Sequence, residues 1–139
     1  MVEVLVAVLL VSVALVGMAA LQAQSLKNMN STLQRTAAAH LIASGFEYIR
    51  SDVNPSTTSL TDYNLPMVCV GSTIPATGKM STWLARYLAG GTHGLQAGTC
   101  IDVNCDAAQC QITVRWNDQK GSGGLSSQQL TESARLKPL

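Results

Sequence analysis

Residues 4–21, VLVAVLLVSVALVGMAAL, form an eighteen-residue run with no charge and a single hydroxyl, Ser12, directly behind the acid Glu3. As a helix the run is about 27 Å long, close to the roughly 30 Å hydrocarbon core of a bilayer. Three arrangements can accommodate such a segment. A secretory signal peptide calls for a positive n-region, whereas the charge in front of this run is Glu3; Ala19 and Ala20 do imitate a cleavage site. A buried core helix that is apolar all round needs a large core, and the Gly-, Ser- and Thr-rich chain beyond Arg50 is a poor source of one. The third arrangement is a membrane helix, of marginal length, with Ser12, Ala14, Gly17 and Ala20 available for helix packing. This is the reading we carry forward.

With the run set aside, the 139-residue chain has room for one small domain. The 47% hydrophobic content describes the anchor rather than that domain. Net charge is +1, which implies neither a basic nucleic-acid surface nor an acidic tail. The four cysteines, Cys69, Cys100, Cys105 and Cys110, all lie in the C-terminal half. Behind an N-terminal anchor an even number reads as two disulfides formed in an oxidising compartment, with three pairings open. Zinc is the rival, with Cys69 or His93 joining the C-x4-C-x4-C thiolates, but the paired C-x2-C knuckles of structural zinc sites are missing.

The helix continues past Leu21. No proline or turn cluster interrupts 22–52, and Leu26, Met29, Leu33, Ala37, Leu41, Ser44 and Tyr48 recur at spacings of three and four. That is a narrow stripe of apolar and small residues on one helix face, with Lys27, Asn30, Gln34 and Arg35 available for water. Ile42, Phe46 and Ile49 widen the stripe where a folded domain could cover it. Gly45 costs of order 1 kcal/mol in a helix interior and permits the close approach of another segment. Asn54-Pro55 is the stop. The expected division is 1–53, with 4–21 transmembrane and 22–53 amphipathic, followed by a sheet domain over 54–139. A helix over 2–52 is about 76 Å long, more than so small a domain can cover. Its first half must find lipid or other helices.

Residues 54–66 are expected as a loop, 67–70 as a short strand and 81–88 as a short helix. That helix sets Trp83 over Tyr87 and Leu84 over Leu88, and Gly90-Gly91 ends it. Strands are expected over 100–104, 111–116 and 129–136, with a tight 105–110 connection that a disulfide could staple. Glu132 falls on the apolar side of the last strand, which marks an edge or an exposed position. The fold class is therefore α+β: a few antiparallel strands laid against the C-terminal half of a long helix.

No catalytic constellation stands out. His40 sits on the long helix and His93 in a glycine-rich loop. There is no G-x-S-x-G elbow, no phosphate loop and no dinucleotide fingerprint, and Asp102 with Asp106 lacks calcium-loop spacing. Neither a cofactor nor a metal is expected. Glu3 raises the one sharp physical question. A carboxylate at the mouth of an apolar helix either stays among headgroups or needs a proton or a positive partner, for which the smallest candidate is a terminal amine on a neighbouring subunit. Loops 90–98 and 119–127, polar and unconstrained, are candidate contact surfaces.

The opening Met1-Val2-Glu3-Val4-Leu5-Val6-Ala7, with the apolar run ending Gly17-Met18-Ala19-Ala20-Leu21-Gln22, resembles the N-terminus of type IV pilins and secretion pseudopilins. The extension Leu21 to Asn28, together with Cys110-Gln111-Ile112-Thr113-Val114-Arg115-Trp116, resembles more narrowly the type IV pilus modification protein PilV family. The resemblance implies a long helix packed on a small C-terminal antiparallel sheet and no catalytic activity. It also implies residence in the bacterial inner membrane with the domain in the periplasm, then a surface pilus.

The partners it implies are the major pilin and other minor pilins through the N-terminal helix, the inner-membrane assembly platform, and lipid before assembly. Direct contact with DNA or a host surface stays open. Minor pilins of this family prime or modify assembly or sit near the fibre tip, in support of twitching motility, adhesion and DNA uptake. Glu3 matches the glutamate that pairs with an adjacent subunit's N-terminal amine. The family's basic leader and mature N-terminal phenylalanine do not precede Glu3. A late-set start, a truncation and an unprocessed copy are each compatible with that. The mid-helix proline is also missing, leaving Gly17 as the place for flexibility. Other readings are a minor pseudopilin of a type II secretion system and a tethered binding domain that never polymerises.

Overall fold

A computed structural model describes residues 2–54, 59–76, 78–88, 95–121 and 124–136. One helix, α1 (Val2–Asp52), runs through more than a third of the chain. It is followed by a 3-10 turn (Leu60–Tyr63), β1 (Leu65–Cys69), α2 (Met80–Leu88), β2 (Cys100–Cys105), β3 (Gln109–Trp116) and β4 (Gln128–Arg135). The strands form a four-stranded antiparallel sheet in sequence order, β1-β2-β3-β4. This is the α+β arrangement of a long helix on a small sheet.

Strand alternation sorts the sheet into two faces. Ile101, Val103 and Cys105 of β2, with Cys110, Ile112, Val114 and Trp116 of β3, are buried against α1. The other face carries Asp102, Asn104, Gln111 and Arg115. Thr113 on this polar face is nonetheless buried, because it lies between Asp102 and Thr131 and takes a 3.2 Å hydrogen bond from the Thr131 hydroxyl. At the β4 edge, Glu132 sits opposite Ile112, on the core-facing side of the alternation, and is nonetheless exposed, as expected of an edge position.

The helix runs unbroken over the expected span and stops at Asp52, just ahead of Asn54-Pro55; Pro55 lies outside the described residues. Ile42, Phe46 and Ile49 are covered by the domain as expected, but of the stripe itself only Leu41 is fully buried. Gln34, Ala38, Leu41, Ile42, Gly45, Phe46 and Ile49 are buried, whereas Leu26, Met29 and Leu33 stay 68%, 59% and 56% exposed. At about 100° per residue the sheet-facing set lies roughly a third of a turn from the stripe through Leu26, Leu33, Ala37 and Ser44. Gln34, expected to face water, is buried because it lies on the sheet-facing side of the covered half. Gly45 lets the helix approach β3 and α2 closely. A Cβ there would lie 2.8 Å from Ile112 Cδ1 and 3.2 Å from Trp83 Cζ2.

The stretch 54–66 is not wholly loop. Leu60 and Tyr63 are fully buried in the 3-10 turn and Leu65 already pairs with Val103, so apolar residues hidden among turn-formers seal the core beneath the end of α1. Strand β1 thus starts two residues before the expected Met67, with a register shift between Leu65 and Val68 that accommodates Pro66. Helix α2 places Trp83 against Tyr87 as expected, ring centroids 5.3 Å apart. The Leu88 side chain, Gly90, Gly91 and His93 lie outside the described residues.

Candidate functional site

The site is α1 itself, divided by what the sheet covers. In its first half an eighteen-residue window has mean hydropathy 2.9, and none of it is buried within the chain. Val4, Leu5 and Val16 are each at least two-thirds exposed. This is the one helix among the described residues that is long and apolar enough to cross a membrane. Glu3 is in its first turn, where the helix dipole favours an anion.

The second half is locked to the domain at both ends. Where α1 meets the sheet, the Ser31 hydroxyl donates to the buried Asp118 carboxylate at 2.7 Å, and the Gln96 amide donates to Asn30 Oδ1 at 3.3 Å. Gly121 is buried in the same place, with no room for a Cβ between Asp118 and Ser31. The 90–98 loop is thereby tied to the helix through Gln96, and the 119–127 loop is held at its start through the preceding Asp118 and the buried Gly121. Sequence reasoning missed these ties, since nothing marks Asp118 off from the other polar residues of its loop.

At the far end, Tyr63 Oη donates to Asp52 Oδ2 at 2.6 Å, Lys79 Nζ donates to the same oxygen at 2.8 Å, and Tyr48 Oη donates to the Lys79 carbonyl at 3.0 Å. Lys79 also lies 5.1 Å from the Tyr63 ring centroid. The hydrogen bonds from Lys79 and then Tyr63 hold the Asp52 carboxyl below its ordinary range, and the Asp52 contact raises the Lys79 ammonium. Burial, followed by donation to Asp52, pushes the Tyr63 phenol up to about 12.

All four cysteines are paired, as Cys69–Cys100 and Cys105–Cys110. Each pair joins residues directly opposite in the sheet, with Cα atoms 3.9 and 4.0 Å apart. The first ties β1 to β2 across 31 residues, and the second closes the β2–β3 hairpin. The chemistry of the remaining candidates is modest. Asp106 accepts 2.8 Å hydrogen bonds from the backbone of Ala108 and Gln109, which stabilise the carboxylate and lower its pKa. That engages it as a hairpin cap, while Asp102 lies on the sheet's polar face. Among the described residues no three His, Cys, Asp or Glu side chains gather as a metal set. His40 is exposed beside a groove of about 420 Å³ lined with Ala37, Ser44 and Tyr87.

A long helix, uncovered in its first half and packed on a small antiparallel sheet in its second, is the general type IV pilin-like architecture. No protein-family model, curated protein or solved structure matches the chain.

Proposed function

We propose that this chain is a non-enzymatic minor pilin, nearest to the PilV type of pilus modification protein, that primes or modifies assembly of a type IV pilus near its tip. The observation that carries the reading is the split character of α1: a continuous helix whose second half is built into the core and whose apolar first half has no cover within the chain. At about 25 cal/mol per Å², so much bare aliphatic surface is incompatible with water and must lie in lipid or against other helices. The helix first anchors the chain in the inner membrane, with the sheet on the periplasmic side. The assembly platform then passes it into a shared helical core with the major pilin and other minor pilins, exchanging one apolar setting for another. The two disulfides suit the oxidising periplasm.

Glu3 supplies register in this scheme. Its carboxylate, carried into the apolar core, is satisfied by the N-terminal amine of the adjacent subunit. Substituting Glu3→Ala in the native host removes the charge and leaves the apolar run intact. The expected result is membrane insertion at wild-type level with incorporation into surface fibres lost. Normal incorporation of the variant contradicts the pairing role.

A further inference from the structure

The face of the sheet turned away from α1 carries a second feature, independent of the helix. A depression of about 510 Å³ opens between the β1 edge and the polar side chains of β2 and β3, among them Asp102, Asn104 and Arg115. Its shape comes from the irregularity in β1. Leu65 pairs with Val103 and Val68 with Ile101, so that Pro66 and Met67 together oppose Asp102, and both are exposed. Two residues set against one bend the strand and re-aim its side chains, which is how bulges shape sites at sheet edges. The result is an apolar lip, Met67 being 41% exposed, beside a polar floor.

The floor holds an acid and a base that do not neutralise each other by contact. Asp102 is half-buried and accepts no hydrogen bond among the described residues, and no ion pair joins it to Arg115. Arg115 is diagonal to it in the register, opposite Cys100, and close enough to act on it through space. Desolvation raises the Asp102 carboxyl, as expected for a carboxylate whose acceptor positions are unfilled. An anion entering here meets Asp102, and a cation meets Arg115. A neutral group that both donates and accepts escapes both penalties, with hydroxyls donating to Asp102 and accepting from Arg115 and Asn104. Adjacent hydroxyls on a ring whose C–H face rests on Pro66 and Met67 satisfy floor and lip together.

We propose that this depression binds a neutral carbohydrate through a vicinal diol, which would give the domain a glycan-contacting face on the side opposite α1. The test is saturation-transfer difference NMR on the full chain in a non-glycosidic detergent, with lactose and methyl α-mannoside as neutral probes and glucuronate and glucosamine as charged ones. Transfer to at least one neutral sugar is expected, falling at least fivefold in Asp102→Ala and in Arg115→Ala, with weaker transfer to both charged sugars. Asp102→Asn, which keeps the size of the side chain, guards against misfolding and should also lose at least fivefold. Circular dichroism and intact disulfides certify each variant. Absence of transfer to both neutral sugars, transfer that survives the substitutions, or preference for a charged sugar overturns the proposal. None of these outcomes bears on assembly through α1.

Discussion

At Gly45 two opposing effects can be weighed. A larger residue gains about 1 kcal/mol of helix propensity over glycine at most, but its Cβ would press on Ile112 and Trp83. Overpacking of this kind costs about 1–3 kcal/mol. We expect Gly45→Val, β-branched and bulkier, to lose about 2 kcal/mol in chemical denaturation. Gly17→Ala, where nothing lies within 4 Å of a Cβ, meets no such penalty and should not lower the denaturation midpoint.

Tyr63 offers a test through pH. Its phenol is raised from an ordinary 10.0 to about 12, so its contribution is complete below about pH 10 and disappears as pH climbs toward 12. Asp52 is shifted down, so its contribution is present above pH 3.8 and disappears as pH falls through the lower folded value. Tyr63→Phe should cost about 1–3 kcal/mol at neutral pH, the worth of a hydrogen bond to a charged group. It should also flatten the loss of stability between pH 10 and 12 seen in urea titrations of the parent chain.

Among the elements, the two disulfides should differ in weight. On the chain-entropy estimate a 31-residue closure contributes about 4 kcal/mol and the five-residue hairpin closure about 2 kcal/mol. Replacing the Cys69–Cys100 pair with serines should therefore lower the urea midpoint more than replacing the Cys105–Cys110 pair. The helix can be divided in the same spirit. A chain beginning at Leu26 keeps Asn30, Ser31 and every buried residue of α1. It should stay soluble and folded, with both disulfides formed, as read by near-ultraviolet circular dichroism and non-reduced peptide mapping.

Elements were legible to unequal degrees. The span of α1 followed from the lack of breakers between Val2 and Asp52, and β3 from the alternation of Ile112, Val114 and Trp116. The facing of α1 followed only in part: Ile42, Phe46 and Ile49 were read as covered, but Gln34 and Ala38 were not. Leu26, Met29 and Leu33 are as apolar as Leu41 and Ile49, and only the position of the sheet decides which of them is covered. The 3-10 turn was hidden because Leu60 and Tyr63 sit among residues typical of loops, where local composition outweighs two buried side chains. Of the disulfides, the Cys105–Cys110 staple was suggested by the tight 105–110 connection, whereas Cys69–Cys100 depends on the strand register.

Over the whole molecule, the proposed assembly site was the most legible part and the sheet's polar depression the least. An apolar run with Glu3 at its mouth is a local pattern, readable without the fold. Asp102, Arg115, Pro66 and Met67 are distant in sequence and meet only through the β1–β2–β3 register. The central claim is that the uncovered half of α1 is an assembly element rather than a permanent anchor. Quantitative mass spectrometry of sheared surface fibres and of inner membrane from the native host tests it most directly. Peptides of the sheet domain should appear in the fibre fraction in fixed ratio to the major fibre subunit, and should leave that fraction when assembly is blocked. Confinement of the same peptides to the inner membrane while fibres are abundant would contradict the account and make the helix a tether.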